Sequence, residues 1–378
     1  MKIFYITREF CTQGGTERIV SDKMNWLTEH GHEVCIVTIN QNSRVFPFML
    51  SERIKHYDLG VNIRGQAERG FLKKLFYFFR NKICIKLRLK KLLVNYAPDV
   101  CISLCTLELS SLASINDGSL HVAEIHSSRL ESNYLGLSKF GLRYWLNKYY
   151  KYKSPFLLKH FDRFVVLSRE EALAWRLPNI TIIPNFTSVR NNQLADLKNK
   201  SVIVVARLVK VKNVRKLLSM WKNIVDVLPD WKLDISGDGE EREDLENYAY
   251  ELNISRSVTF HGATANVYRA YQNSSLLFLT SLFECFPLVP IEAQRFGIPC
   301  VVFRCNEIIS EIVQDGKSGY VIENGNESDF IKKAILLMSD YVKRREFGLY
   351  GAESSKRFSA SQVMPMWVDL FQKLLKKS

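Results

Sequence analysis

The sequence predicts an α/β protein of two tandem domains, each a parallel sheet wound with helices, and two observations predict it. Short apolar runs alternate with helix-periodic stretches along both halves of the chain. At 378 residues and 47% hydrophobic content, the chain is too long for one ordinary domain and apolar enough for two buried cores with a cleft between them. In the first half, Lys2 to Ile6 reads as a buried strand and Gly14 with Gly15 as a turn. Thr16 to His30 reads as a helix with Val20, Met24 and Leu27 on one face, and Glu33 to Ile39 as the next strand. Strand, turn, helix, strand is a βαβ unit, which implies parallel pairing through a right-handed crossover.

The second half repeats the rhythm. Ser201 to Ala206 is an apolar strand, and the next helix carries Val214, Leu217, Leu218, Trp221, Ile224, Val225 and Leu228 along one stripe. Strands follow at Lys232 to Ser236, Ser257 to Phe260, Leu276 to Thr280 and Cys300 to Phe303. Between 184 and 200 periodicity is lost and the chain turns polar, which marks the hinge. The expected division is a first domain over 1–185, a second over 186–355, and a C-terminal helix within 356–378 that packs back on the first.

Composition narrows the class. The opening MKIFYITREF lacks the apolar core and cleavage site of a signal peptide, and no stretch holds the roughly 18 uncharged apolar residues of a spanning helix. A cytoplasmic protein is expected, with any membrane contact peripheral. The eight cysteines match neither a zinc site nor a disulfide framework and read as free thiols. The net charge of +14 is lopsided: residues 1–200 hold 30 Lys or Arg against 17 Asp or Glu, and residues 201–378 hold 23 against 22. One half therefore faces a polyanion or an anionic surface.

Chemistry concentrates in Ser281 to Pro299, SLFECFPLVPIEAQRFGIP, a strand-to-helix passage. Glu284 falls in the loop and Glu292 about one turn into the helix, so both carboxylates can face a ligand at the strand's carboxyl end. Pro287 suits a first helical position, which leaves the N–H groups of Leu288 and Val289 free for an anion such as a diphosphate. The plain alternative is two solvated glutamates.

FECFPLVPIEA resembles the signature of the family 4 retaining glycosyltransferases, the glycosyl transferases group 1. The family's commoner form has glycine where this chain has Cys285, a change expected to narrow the pocket near the sugar. Gly14-Gly15-Thr16-Glu17-Arg18, His30-Gly31-His32-Glu33-Val34 and Ser236-Gly237-Asp238-Gly239 resemble the family's other motifs, in the same order. The resemblance implies the GT-B fold, two Rossmann-like domains facing across a cleft, and transfer of a sugar from a nucleotide diphosphate with retention of configuration. By the same resemblance, Arg207 and Lys212 grip the donor diphosphate, Glu292 binds the nucleotide ribose, Glu284 contacts the sugar's hydroxyls, and His126 sits beside the sugar. Gly14, Gly15 and Gly237 would let backbone approach the ligand, with Ser168 and Asn185 near the cleft. No metal or other cofactor is expected, since no Asp-x-Asp ends a strand and the family neutralises the leaving diphosphate with Arg, Lys and a helix dipole. Family frequency favours a uridine donor carrying a hexose or N-acetylhexosamine.

Residues 64–91 hold ten Lys or Arg against one acidic residue, interleaved with Phe71, Leu72, Leu75, Phe76, Phe79, Ile83 and Leu87 at helical spacing. Such a helix suits an anionic bilayer, and the plainer reading is a helix whose apolar face packs on the sheet. The run from Lys139 to Lys159, with Tyr144, Trp145, Tyr149, Tyr150 and Tyr152, adds to the surface. The partners expected are the nucleotide-sugar donor, a lipid-linked or glycan acceptor in cell-surface glycan biosynthesis, and the inner face of the membrane. Two rivals stand beside transfer: a nucleotide-sugar epimerase or phosphorylase of the same fold, and nucleic-acid binding, which the basic half invites but no recognised motif accompanies.

Overall fold

The computed structural model describes residues 1–12, 14–63, 71–129, 154–189, 193–263 and 267–376. These fall into two compact units. One gathers Met1–Arg129, the described chain from 154 to Asn185, and the final stretch from Ala360; the other is Phe186–Ser359.

The first unit is built on a seven-stranded sheet of β1 (Lys2–Thr7), β2 (Glu33–Thr38), β3 (Lys55–Asp58), β4 (Val100–Ser103), β5 (Leu120–Glu124), β6 (Arg163–Val166) and β7 (Ile180–Ile182). Their order is β3-β2-β1-β4-β5-β6-β7, parallel throughout. Helix α1 (Gly15–Glu29) follows β1 and buries Ile19, Val20, Met24 and Leu27 at the 3.6-residue period that fits a helix to a sheet. Lys23 lies on that same buried face.

Helix α2 (Phe71–Tyr96) carries most of the basic run. Its buried stripe is Asn81, Ile85, Leu89 and Leu93. Phe76, Phe79, Ile83 and Leu87, the apolar face singled out in the sequence, are instead 55–65% exposed. That face does not pack on the sheet, because a second apolar stripe on the same helix fills that place. Residues 64–70 and the side chains of Phe71, Leu72 and Leu75 lie outside the described residues, as does 139–153 with its five aromatics. No described helix is long and apolar enough to cross a membrane.

The second unit holds β8 (Ser201–Val205), β9 (Lys232–Ser236), β10 (Val258–Gly262), β11 (Leu276–Leu279), β12 (Cys300–Phe303) and β13 (Gly319–Ile322). They lie in the order β10-β9-β8-β11-β12-β13, again all parallel. Helix α3 (Val214–Val227) buries Val214, Leu217, Leu218, Trp221 and Ile224. Val225 and Leu228 are only half-buried, and Leu228 caps the helix rather than extending it. Trp221 is fully buried 6.4 Å from the Phe278 ring, and its indole N–H donates to Ser257 Oγ at 3.1 Å. The polar passage after residue 185 is tied into this unit, since Thr187 pairs with Ser359 and Val189 and Leu197 are buried.

No disulfide links any of the eight cysteines, all of which are described. The last helix, α5 (Ala360–Leu375), belongs to the first unit and buries Met364, Trp367 and Phe371. Trp221 is the largest fully buried side chain of α3, so Trp221→Ala should lower the unfolding free energy of its unit by about 3–5 kcal/mol in denaturant titration. A loss under 1 kcal/mol would contradict that packing.

Candidate functional site

In a doubly wound parallel sheet, ligands bind at the strands' carboxyl ends where the strand order reverses. In the second unit that place lies between β8 and β11. The loop after β8 carries Arg207 and, on a 3-10 turn, Lys212; the loop after β11 carries Glu284 and leads into α4 (Leu288–Arg295). The two loops are laced by backbone: Leu282 N donates to Val211 O at 2.8 Å, and Asn213 Nδ2 to Thr280 O at 3.3 Å.

This lacing brings the Lys212 ammonium against Glu284 Oε1, which also accepts from Ser281 Oγ at 2.8 Å. The pair is partly open, with side chains 18% and 16% exposed. Asn306 Nδ2 holds the loop by donating to Glu284 O at 2.8 Å and Cys285 O at 3.4 Å. Arg207 is exposed, and no described residue pairs with its guanidinium.

Pro287 is the N-cap of α4 rather than its first helical residue, one position off the sequence expectation. Its consequence is unchanged, because Leu288 and Val289 occupy the first turn, where N–H groups find no partner within the helix. Glu292 lies one turn further, buried, and accepts from Tyr271 Oη at 3.0 Å. Gly237 explains itself by contact. At φ +146°, a Cβ there would lie 1.8 Å from Ala206 O, and one on Gly239 would lie 2.3 Å from Leu208 O. Only glycine lets the loop after β9 run against the loop that carries Arg207.

In the first unit the strand order reverses at β1 and β4. Gly14 is the N-cap of α1 and Gly15 its first residue, both at this carboxyl end. Gly14 has an ordinary extended backbone, and a Cβ on Gly15 would meet no described atom within 4 Å. The fold therefore gives no reason of its own for glycine at position 15, where alanine would make a better helix.

His126 follows β5 two residues after Glu124, its side chain 5% exposed. Its Nε2 lies 2.9 Å from Glu124 Oε1, at ion-pair distance but poorly aligned for a hydrogen bond, and its buried Nδ1 has no described partner. Glu124 also binds the ammonium of Lys23. Burial pushes the Glu124 carboxyl up, yet Lys23 and then His126 outweigh it and hold it down at about 2. The sequence reading missed both partners. Their signal was a lysine within the apolar stripe of α1 and a glutamate closing a buried strand.

Ser168 caps a helix, accepting from Glu171 N at 3.2 Å, while Asn185 is buried with its Oδ1 unpartnered among the described residues. Among those residues a metal-capable cluster forms from Cys101, Asp117 and His121, within 4.8 Å of one another. It lies near the amino ends of β4 and β5, and its groups satisfy each other: His121 Nε2 meets Asp117 Oδ1 at 2.9 Å, and Ser119 Oγ donates to Cys101 Sγ at 3.2 Å.

Comparison with known proteins agrees with this architecture. Glycosyl transferases group 1 matches residues 185–354. An uncharacterized glycosyltransferase of Haemophilus influenzae is 30% identical over 347 residues, covering 90% of this chain and 91% of the relative. The amylovoran biosynthesis glycosyltransferase of Erwinia amylovora is 24% identical over 382 residues, covering 98% and 99%. Among solved structures, a TarM variant of S. aureus in complex with Fondaparinux, alpha-GlcNAc-glycerol and UDP superposes with a TM-score of 0.79 at 16% identity, over 98% of this chain and 99% of that one. At such low identity the superposition speaks for the fold, which is GT-B. With a relative this similar along nine-tenths of its length, the chain belongs to the glycosyl transferases group 1 family and is a glycosyltransferase.

Proposed function

We propose that this enzyme moves a hexose or N-acetylhexosamine from a uridine diphosphate donor, with retention and without a metal, to a lipid-linked or polysaccharide acceptor in cell-surface glycan biosynthesis. One observation carries the reading: Arg207, Lys212, Glu284 and the open amino end of α4 share the switch point of one sheet. As the sugar departs, negative charge grows on the diphosphate, and cations with oriented N–H groups already in place lower the barrier. Lys212 is held by Glu284 in a partly open pair, so an incoming phosphate can share it without opening a core. Glu292, anchored by Tyr271, presents a carboxylate suited to ribose hydroxyls. In front-side retention, the leaving phosphate accepts the acceptor's proton. The relative named for amylovoran biosynthesis and the TarM complex holding UDP support the acceptor and donor classes.

The same reading places the enzyme in the cytoplasm at the inner membrane face. On α2 the exposed Phe76, Phe79, Ile83 and Leu87 stand among Arg80, Lys82, Lys86 and Lys90, an apolar stripe flanked by cations. Apolar side chains left 55–65% exposed, beside basic residues worth about 1 kcal/mol each near an anionic surface, fit a bilayer interface.

Arg207→Ala with Lys212→Ala should lower kcat by about 10²- to 10³-fold, and Glu292→Ala should raise the donor KM; steady-state kinetics with a panel of nucleotide sugars reads both. Wild-type turnover in either would contradict the reading, and sugar conversion without acceptor would mark an epimerase instead. Gly15→Ala should keep or raise thermal stability while turnover falls, because the side chain would enter ligand space rather than protein; undiminished turnover would assign Gly15 no role. Replacing Arg80, Lys82, Lys86 and Lys90 with Gln should weaken binding to anionic liposomes and spare donor hydrolysis. Equal liposome binding would remove the membrane from the proposal.

A further inference from the structure

We propose that Lys23 is a positioning residue for the reaction: through Glu124 it fixes which nitrogen of His126 carries the proton and leaves the other nitrogen bare to accept a hydrogen bond from a sugar hydroxyl. The inference rests on the reading of His126 as a residue that meets the transferred sugar.

The starting point is a lysine where a leucine would do. Lys23 is 1% exposed on the sheet-facing side of α1, between Val20, Met24 and Leu27. Buried lysines are rare unless paired, and an apolar replacement of a buried ion pair is often the more stable choice. Packing alone therefore does not account for it. Its ammonium has two partners: Glu124 Oε1 and the face of the Trp367 ring, whose centroid lies 3.9 Å away. Trp367 is on α5, so the last helix of the chain closes over this charge.

Glu124 Oε1, the oxygen that Lys23 grips, is also the one 2.9 Å from His126 Nε2. The Glu124 charge, 2.9 Å from Nε2, favours the ring proton on that nitrogen by electrostatic attraction rather than through an aligned hydrogen bond, which leaves Nδ1 as the acceptor. That Nδ1 is buried and has no described partner, as is Glu124 Oε2. His126 Nε2 too is buried without an aligned hydrogen-bond partner among the described residues, and buried acceptors left unsatisfied at one strand end call for a ligand with hydroxyl donors.

The arrangement needs Glu124 ionised, and its surroundings bear on that from four sides. Lys23 faces it from α1 and His126 from the loop beyond β5. Tyr5 of β1 and Cys105 beyond β4 also sense its charge. Both of the latter are pushed up, first by burial and then by neighbouring carboxylates, Glu108 included for Cys105, so they are neutral and offer no cation. Burial draws the Lys23 ammonium down, and Glu124 counters this only in part. With the Glu124 carboxyl held at about 2, its ionised form is secure above the ordinary carboxylate range and is lost only as pH falls towards 2. Without Lys23, burial is opposed by His126 alone and the carboxyl titrates at higher pH.

The test compares pH–rate profiles of wild type, Lys23→Met, Lys23→Met with Glu124→Gln, and His126→Ala, alongside nitrogen-15 NMR of the His126 ring. The expected Lys23→Met enzyme gains an acid limb in kcat that wild type lacks, with kcat down about 10- to 100-fold at the acid end and the donor KM within about twofold of wild type. Its His126 ring should lose the fixed Nε2–H form over that limb. The double variant keeps a neutral pair, so it should fold as well as or better than the single variant, and its kcat should stay low with no acid limb. A Lys23→Met profile parallel to wild type, with an unaltered His126 spectrum, overturns the positioning role even if the variant is less stable. Wild-type turnover in His126→Ala would instead overturn the reading of His126 beneath it, while the NMR comparison still reports whether Lys23 governs the ring.

Discussion

A parallel strand cannot return to its neighbour through a tight turn; it needs a crossover, and crossovers leaving on opposite sides of a sheet part at the point where strand order reverses. Both sheets here obey that constraint, reversing beside β1 and β4 in one unit and β8 and β11 in the other. At each reversal the strands end in backbone whose polar groups have no further strand to pair with, and loops diverge around open space. Almost every chemically loaded residue of the chain follows from this. Arg207 and Lys212 leave β8, Glu284 leaves β11, and Gly14 and Gly15 leave β1. His126 leaves the strand next to β4.

Each unit places a lysine–glutamate pair at these strand ends, and burial separates what the two pairs can do. Lys212 and Glu284 remain partly exposed, so water or a phosphate can take the place of either partner at small cost. Lys23 and Glu124 are sealed, and neither can lose the other without stranding a charge in the core. The open pair suits a group that must meet a changing ligand, and the sealed pair suits a group that must not change during turnover. Trp367 reinforces the seal from the far end of the sequence, which ties the last helix to the first unit by more than apolar contact.

Helix α2 shows the same separation in its apolar surface. It carries two stripes, one consumed by the sheet and one facing outward among cations. A folding chain needs only the first of these. The outward stripe leaves apolar and aromatic surface exposed, which is the kind of patch that marks an interaction face.

Sequence alone determined the two wound sheets, because a strand's apolar run and a helix's 3.6-residue stripe are local patterns that burial on one face imposes residue by residue. It also located the loops after β8 and β11, since glycine, proline and paired glutamates mark a strand-to-helix passage without reference to distant chain. It could not tell which of the two stripes of α2 would be buried, because both have the same period and only the sheet's surface chooses between them. Nor could it join Lys23, Glu124, His126 and Trp367, which lie on four separate stretches of chain from near its beginning to near its end. Charge pairing in a core depends on three-dimensional proximity and on the loss of water, and neither is written in the spacing of residues along the chain.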